Sequence, residues 1–239
     1  MDAPFPPGMV EEIEKFFAED SFRQPGLDYY EAVFRTQLFF PLQRKAELAW
    51  MMQIARKVCP TTVMEIGADK GGGLYHWCKC LLSVRRVIGC EIRGTPYQSE
   101  FAKAFSQINF VWMERGSLPP PAIVRDPLLA NHKIDVLFID GDKNRFLEDF
   151  DAYRPLMSNH GVVFMHDINE HGSPMRRAFD TVAARGYPHA VVIDTTESAE
   201  AKMRELDGIP ASNPHEGWLR HWNGRSCGVG AIWMREGLK

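Results

Sequence analysis

The 239-residue sequence has no long hydrophobic run, little cysteine and almost no net charge. No apolar stretch approaches the roughly 18 residues of a membrane span, and the first residues lack the basic and apolar regions of a signal peptide. We therefore expect a cytoplasmic protein with no membrane partner. The 28 basic and 31 acidic residues give a net charge of −3 without a long basic stripe, which argues against a nucleic-acid partner. A small-molecule ligand fits this composition better.

The five cysteines are odd in number and mostly lie in apolar segments, as is typical of reduced thiols in a reducing compartment. Cys78 and Cys80 alone are too few for a structural zinc site, which needs four ligands. The sequence therefore predicts packed thiols, and not metal ligands, at Cys59, Cys78, Cys80, Cys90 and Cys227.

Seven short β-rich segments recur along the chain, and segments with helical periodicity lie between them. The predicted strands are Thr61–Gly67, Arg86–Glu91, Ile108–Met113, Ile134–Asp140, Gly161–His166, His189–Asp194 and Gly228–Met234. Several of these strands are almost continuously apolar, which indicates a parallel sheet buried on both faces. The pattern predicts a doubly wound, Rossmann-like α/β fold: a seven-stranded, mostly parallel sheet with helices on both faces.

The predicted helices carry recognisable end signals. Ser173 and Pro174 form an N-cap and first-turn pair before a helix over Met175–Arg185, which Gly186 ends. Asp142 is predicted to cap a helix that begins near Asn144.

Two stretches do not fit the strand–helix repeat, namely residues 1–40 and residues 195–227. We predict an N-terminal extension or cap over 1–40 and one domain over 41–239 that carries the insertion 195–227. Both additions could wall a pocket at the carboxyl ends of the strands, or could instead serve packing or a dimer contact. The sequence leaves homo-oligomerisation open.

A glycine-rich loop, Gly67–Gly73, joins the first predicted strand to a helix predicted over Leu74–Leu82. The dinucleotide fingerprint needs a glycine where Asp69 stands, and this carboxylate would repel a pyrophosphate. The loop does not match the phosphate-binding loop of nucleotide triphosphatases either, because its glycines are not followed by a lysine and a hydroxyl residue. Glu91 ends the second strand, where its carboxylate can accept both ribose hydroxyls. Together these features indicate a site for a nucleoside without phosphates.

These residues resemble the first motif of class I S-adenosylmethionine-dependent methyltransferases: Glu65, Gly67 and Gly71, with Glu91 ending the next strand. The resemblance covers about residues 41–239 and is closest to metal-dependent O-methyltransferases, in both the macrocin and mycinamicin sugar branch and the catechol branch. It implies that S-adenosylmethionine is the cofactor.

The resemblance also implies where the cofactor binds. Glu65 and the loop residues Gly67, Ala68, Gly71 and Gly73 hold the methionine part, and Glu91 holds the ribose. Relatives often have serine at the position of Gly73, so any contact there must come from the backbone. Ser117 follows the third strand in a segment that resembles an adenine-side loop without its aspartate, and we assign the adenine contact to Ser117.

The fourth and fifth predicted strands end in Asp140 and in His166-Asp167. In the family these strands are neighbours, so Asp140 and Asp167 should converge beside the methyl donor. Two such carboxylates need neutralisation, which a hard divalent cation supplies. The alternative is that both aspartates cap the following helices.

The resemblance makes Asp140 and Asp167 metal ligands, with Mg²⁺ as the expected ion. The third ligand is His166 or Asn169. A strand alternates its faces, so His166 and Asp167 can share one ion only if the chain bends between them. A nitrogen ligand would shift the preference from Mg²⁺ towards Mn²⁺ or another transition metal.

The sequence thus predicts a metal-assisted O-methyltransferase that acts on a hydroxyl of a small molecule with vicinal oxygens, a sugar or other natural product ahead of a catechol. Lys143 is the predicted general base, because it lies three residues after Asp140 on the same turn. Two alternatives stay open: a metal-free or non-catalytic S-adenosylmethionine-binding protein, and an NAD-dependent oxidoreductase, against which Asp69 argues.

Overall fold

The computed structural model describes residues 43, 45–69, 71–93, 98–120, 133–169, 173–192 and 227–234. The predicted extension 1–40 and nearly all of the predicted insertion 195–227 lie outside these residues. The helices are α1 (Lys45–Val58), α2 (Gly72–Cys80), α3 (Gln98–Ala104), α4 (Phe146–Tyr153) and α5 (Pro174–Ala183), with a 3₁₀ turn at Arg154–Leu156. The strands are β1 (Thr62–Ile66), β2 (Arg86–Glu91), β3 (Asn109–Glu114), β4 (Ile134–Ile139), β5 (Met157–His166), β6 (His189–Val192) and β7 (Val229–Trp233).

The seven strands form one sheet in the order β3-β2-β1-β4-β5-β7-β6. β1 pairs in parallel with β2 and with β4, and β4 pairs in parallel with β5. Only β7 runs against its neighbours among the described strands. This order confirms the predicted fold class, and it places the carboxyl ends of β1, β2, β4 and β5 at one edge of the sheet, where ligands bind in such folds.

Helices cover the sheet on both faces, as the apolar central strands require. On one face α1, α2 and α3 pack over a cluster that includes Trp77, Phe138 and Phe164. On the other face α4 and α5 pack over a second cluster, to which Phe150 and Phe179 belong. Within the described residues, no helix is both long enough and apolar enough to cross a membrane.

The predicted start of α4 is wrong by two residues. The helix begins at Phe146, and Arg145 precedes it without a side-chain cap. Asp142 does not cap the helix: its Oδ1 accepts the backbone N–H of Asn144 (3.0 Å) in the turn before it. A short polar side chain that bonds its own turn competes with helix capping, and here the turn wins.

The prediction of packed thiols holds for three of the five cysteines. Cys78, Cys80 and Cys90 are buried, whereas Cys59 is exposed and Cys227 is only partly buried. Cys59 lies at the end of α1 with a φ of 53°, and Cys227 immediately precedes the turn into β7. Cys59 follows the last residue of α1 and Cys227 precedes the first residue of β7, so both lie outside the helices and strands that form the core.

Candidate active site

The glycine loop turns sharply between β1 and α2. Gly67 and Gly71 have φ values of 82° and 90°, and Gly71 is the N-cap of α2. A Cβ on Gly67 would overlap the backbone carbonyl of Asp140, so only glycine fits there. The amides of Gly67 and Ala68 donate to the carbonyl of Cys90, which ties the loop to the end of β2.

Glu65 is buried beneath this loop. Its Oε2 accepts a hydrogen bond from the indole N–H of Trp77 (3.0 Å), and its carboxylate lies against Gly73. Burial, and then the charge of Asp140, raise the pKa of Glu65 well above its usual value. The carboxyl group is therefore poised to ionise when a cation such as an α-ammonium group comes beside it.

Glu91 stands at the carboxyl end of β2, across from the loop. Its two carboxylate oxygens accept the backbone N–H groups of Asp69 (3.0 Å) and Arg93 (3.1 Å). The side chain thus faces the glycine loop, which is where a ribose would need it. These bonds hold Glu91 in place without a ligand.

Ser117 follows β3 and is buried, and its hydroxyl makes a hydrogen bond within the protein. It donates to Asp149 Oδ1 (2.5 Å), and the Ser117 carbonyl accepts the hydroxyl of Tyr153 (2.7 Å). Burial raises the pKa of Asp149 to about 6. Sequence reasoning assigned Ser117 to the adenine but missed these two partners on α4. An adenine contact by Ser117 stays a prediction.

Asp140 and Asp167 lie together, and the ammonium group of Lys143 bridges them. Its Nζ is 2.6 Å from Asp140 Oδ1 and 2.5 Å from Asp167 Oδ2. Neither aspartate caps a helix, because Arg145 and Ser173 hold the N-cap positions of α4 and α5. The other oxygen of Asp140 accepts the side-chain amide of Gln43 (2.9 Å).

His166 joins the same cluster because the chain bends after β5. Asp167 has a φ of 58°, in the left-handed region, which returns its carboxylate to the side of His166. His166 Nδ1 lies 3.2 Å from Asp140 Oδ1 and 3.5 Å from Asp167 Oδ1. Asn169, the other candidate ligand, follows this bend, and its backbone N–H donates to the carbonyl of Cys227.

Two cations balance two carboxylates in this cluster. Burial lowers the pKa of both Lys143 and His166, but the neighbouring aspartates outweigh it and raise both pKa values above the usual range. Burial raises the pKa of Asp140, and His166 and Lys143 outweigh it in turn, so that this pKa is lowered. Lys143 is therefore an ammonium group in this arrangement, and it becomes a base only if another cation takes over the carboxylates.

Three residues of the site were not found from the sequence. Gln43 and Glu47 come from α1 and the residues before it, and Cys227 comes from the far end of the chain. Glu47 is completely buried, and its Oε1 accepts the backbone N–H of Gly228 (2.8 Å). Their sequence distances from β4 and β5 are large and no motif connects them, so only the fold brings them together.

The sequence was compared with known proteins. Residues 64–168 match a family model described as "Methyltransferase domain". No curated protein matches the sequence.

Three solved structures share the fold. The O-methyltransferase from Bacillus cereus in complex with SAH is 15% identical, with a TM-score of 0.54 and coverage of 90% of this chain and 91% of that one. The O-methyltransferase TomG from Streptomyces achromogenes, in complex with SAM, is 14% identical, with a TM-score of 0.55 and coverage of 91% of each chain. A putative caffeoyl-CoA O-methyltransferase from Staphylococcus aureus is 15% identical, with a TM-score of 0.54 and coverage of 95% and 99%.

At these identities the structural neighbours establish only the fold. The family model adds a match to the sequence itself, over residues 64–168. The matched residues run from β1, through the glycine loop and Glu91, to the turn after β5. They therefore include the glycine loop, Glu91, Asp140, His166 and Asp167. The match indicates a methyltransferase domain over residues 64–168, and the strand order agrees with the Rossmann-like fold that the sequence predicts.

Proposed function

We propose that the protein transfers the methyl group of S-adenosylmethionine to a hydroxyl oxygen of a small molecule, in a reaction assisted by a divalent cation. The observation that carries the proposal is the position of the carboxylate cluster. Asp140 follows β4, and its carbonyl packs against Gly67 of the cofactor loop. A methyl donor in that loop would thus lie beside Asp140, Lys143 and Asp167.

The cofactor side rests on the loop and on two carboxyl groups. Glu91 faces the loop and would accept the ribose hydroxyls in exchange for its backbone partners. Glu65 lies beneath Gly73 and would meet the methionine ammonium group, which favours the ionised carboxylate. Because Gly67, Ala68, Gly71 and Gly73 are small, the cofactor can come close to the backbone of the loop at these positions.

The cluster fits a divalent cation. His166 Nδ1 lies 3.2 Å from an oxygen of Asp140 and 3.5 Å from an oxygen of Asp167, about the spacing of adjacent ligands around one ion with bonds of 2.0–2.2 Å. Carboxylates favour Mg²⁺, and the imidazole makes Mn²⁺ compatible. When bound, such a cation would lower the pKa of an acceptor hydroxyl.

The chain itself would position the acceptor and move its proton. In-line transfer needs the acceptor oxygen about 3 Å from the methyl carbon, so the walls of the pocket must hold it there. Once Lys143 is released from Asp140 and Asp167, the loss of their charges lowers its pKa, so that the ammonium group can give its proton to solvent. The neutral amine can then take the proton of the acceptor hydroxyl. Asp140 is the link between cofactor and acceptor, because its backbone contacts the loop and its side chain enters the cluster.

We further propose an acceptor with two adjacent oxygens, such as a sugar diol or another natural product. Two oxygens can chelate one cation and thereby fix the reacting hydroxyl. The structural neighbours support transfer to oxygen, because three of them are named O-methyltransferases, one of them in tomaymycin synthesis.

One observation favours a second candidate, an S-adenosylmethionine-binding methyltransferase fold that works without a metal. Lys143 already neutralises both aspartates, at 2.6 and 2.5 Å. An ammonium group that permanently occupies this position would remove the electrostatic need for a cation.

Calorimetry with S-adenosylmethionine and with NADH tests the cofactor. We expect S-adenosylmethionine to bind more tightly, and tighter binding of NADH would overturn the methyltransferase proposal. Incubation with methyl-labelled S-adenosylmethionine and a panel of catechols and sugar glycosides then tests the reaction. Label should reach the acceptor oxygen, a chelator should stop the transfer, and Mg²⁺ or Mn²⁺ should restore it. Full activity in chelator would support the metal-free alternative.

A further inference from the structure

We propose that Cys227 is a metal ligand and that it forms, with His166 and Asp167, a site that selects Zn²⁺ or Co²⁺ over Mg²⁺. The proposal rests on the metal-assisted part of the proposed function, and it deepens that part by naming a sulfur donor and the class of ion. Neither the cysteine spacing nor the resemblance to known methyltransferases assigns a role to this residue.

The three side chains converge at the turn after β5. One ligand atom from each of His166, Asp167 and Cys227 lies within 4.8 Å of the other two. His166 is buried, whereas Asp167 and Cys227 are partly buried, so the group is partly accessible to solvent. The three residues offer a nitrogen, an oxygen and a sulfur donor. His166 ends β5, Asp167 lies in the bend after it, and Cys227 lies just before β7.

Backbone hydrogen bonds hold Cys227 in this position. The N–H of Asn169 donates to the Cys227 carbonyl (2.9 Å), and the N–H of Ile168 reaches the Gly228 carbonyl (3.4 Å). On the other side, the N–H of Gly228 donates to the buried carboxylate of Glu47 (2.8 Å). Cys227 is therefore tied to the bend that carries Asp167 and to α1. Such preorganisation lowers the cost of bringing the ligands together.

Glu47 lies on the other side of His166 from the two aspartates. Its Oε2 lies 3.7 Å from His166 Nε2, while His166 Nδ1 faces Asp167 and Asp140. A carboxylate on the Nε2 side favours keeping the proton on that nitrogen, so an ion would displace the Nδ1 proton and bind there. A ligating histidine commonly has a carboxylate or carbonyl behind it in this way.

Lys143 does not block the three donors. It contacts Asp167 through Oδ2, whereas Oδ1 of the same carboxylate faces His166. An ion between His166, Asp167 and Cys227 can therefore bind Oδ1 first, and its charge on Asp167 then weakens the hold of this carboxylate on the ammonium group of Lys143. Between Asp140 and Asp167, by contrast, an ion must compete with the ammonium group.

The donor set decides which ion the site prefers. Mg²⁺ takes oxygen ligands almost exclusively, whereas thiolate and imidazole suit Zn²⁺ and neighbouring transition metals. One thiolate and one carboxylate together neutralise a dication. Three protein ligands also leave a fourth position open, as in catalytic zinc sites, and an acceptor oxygen could enter there.

Cobalt binding to the purified full-length protein tests the proposal through the absorption spectrum, without an activity assay. We expect Co²⁺ to give a thiolate-to-cobalt charge-transfer band in the near ultraviolet. Zn²⁺ should abolish the band in stoichiometric amounts, and a large excess of Mg²⁺ should not. In Cys227→Ser the band should disappear and the affinity for Co²⁺ should fall by about 100-fold or more, beyond the 10–100-fold cost of losing an outer partner of a ligand. Circular dichroism checks that the variant folds.

Cys59→Ser is the matched control, because it removes an exposed thiol distant from the cluster in sequence. It should keep both the band and the affinity. Asp167→Asn provides a second variant, which should weaken Co²⁺ binding but retain the band.

Two results would overturn the proposal in distinguishable ways. If Co²⁺ binds equally well to wild type and Cys227→Ser without a charge-transfer band, the cysteine has no role, and the metal-assisted function stands. If neither Co²⁺, Zn²⁺, Mn²⁺ nor Mg²⁺ binds while S-adenosylmethionine still does, the metal-assisted part of the proposed function fails together with this inference.

Discussion

The carboxylate of Glu65 lies against the α-carbon of Gly73, so that any Cβ on Gly73 would overlap its oxygens. Glu65 cannot easily retreat, because it is buried and bonded to Trp77. This contact leaves no room for a side chain at position 73 unless Glu65 moves. The absence of a side chain at position 73 leaves the carboxyl group directly beneath the glycine loop.

We predict that Gly73→Ser destabilises the protein and weakens S-adenosylmethionine binding. Overpacking a buried position costs about 1–3 kcal/mol of the free energy of unfolding, and displacing Glu65 disturbs the methionine site. Chemical denaturation and calorimetry measure the two effects. Gly116→Ala is the control, since a Cβ there would contact nothing within 4 Å. Equal stability and affinity of Gly73→Ser and wild type would show that Glu65 moves freely.

Glu91→Ala should weaken S-adenosylmethionine binding by about 1.5–3 kcal/mol, or roughly 10–150-fold, because the ribose loses hydrogen bonds to a charged group. Glu114 pairs in register with Glu91 at the end of β3 and is exposed. Glu114→Ala therefore removes a carboxylate from the same sheet edge and should leave affinity nearly unchanged. Calorimetry that finds the two variants equivalent would remove Glu91 from the ribose site.

The sequence was sufficient to predict the sheet and the motif-bearing ends of its strands. Apolar runs such as Val162–Met165 indicate central strands, and Asp140 and Asp167 converge because parallel neighbours end at one edge. The sequence indicated that the chain must bend at Asp167 if His166 and Asp167 are to share one ion. It could not predict that the bend occurs, because non-glycine residues rarely adopt a positive φ.

Long-range partners are what the sequence could not supply. Glu47 reaches Gly228 across 181 positions, and Gln43 reaches Asp140 across 97. No periodicity links such residues, since only the packing of α1 against the sheet defines their neighbours. The same holds for Asp149, which reads as an ordinary acidic helix residue and is in fact buried beneath Ser117.

Asp149 should make the protein less stable as the pH rises. Burial raises its pKa from 3.8 to about 6 in the folded state. Between these values the folded protein binds more protons than the unfolded chain, so this group's contribution to stability is present at low pH and is lost as the pH approaches 6. A difference of about two pKa units corresponds to about 3 kcal/mol.

Asp149→Asn removes this titration while an amide oxygen can still accept the Ser117 hydroxyl. The stability of the variant relative to wild type should therefore increase by up to about 3 kcal/mol between pH 4 and 7. Denaturation curves across this range measure the difference. Glu148→Gln, an exposed neighbour on α4, should show little change. A constant difference at every pH would mean that Asp149 ionises normally.

Lys143→Ala should separate catalysis from cofactor binding. Losing a positioned base costs about 10²–10⁴ in kcat, while S-adenosylmethionine affinity stays nearly constant. The affinity of Mn²⁺ for the cluster should not fall, because the variant removes a cation that competes for Asp140 and Asp167. Lys133→Ala is the control: Lys133 lies just before β4, at the opposite end of the strand, and donates to the carbonyl of Pro155.

The pH profile tests whether Lys143 acts as the base. A base must be neutral to accept a proton, so the fraction of neutral amine, and with it kcat, should increase with pH up to the pKa that Lys143 has in the cation-bound enzyme. Imidazole titrates near 6.5, and Lys143→His should therefore keep part of the activity with the rising limb of its profile moved to lower pH. A profile at the wild-type position in Lys143→His, or a Lys143→Ala rate within a fewfold of wild type when chemistry is limiting, would assign proton removal to another group. In that case the lysine serves only to neutralise the two carboxylates.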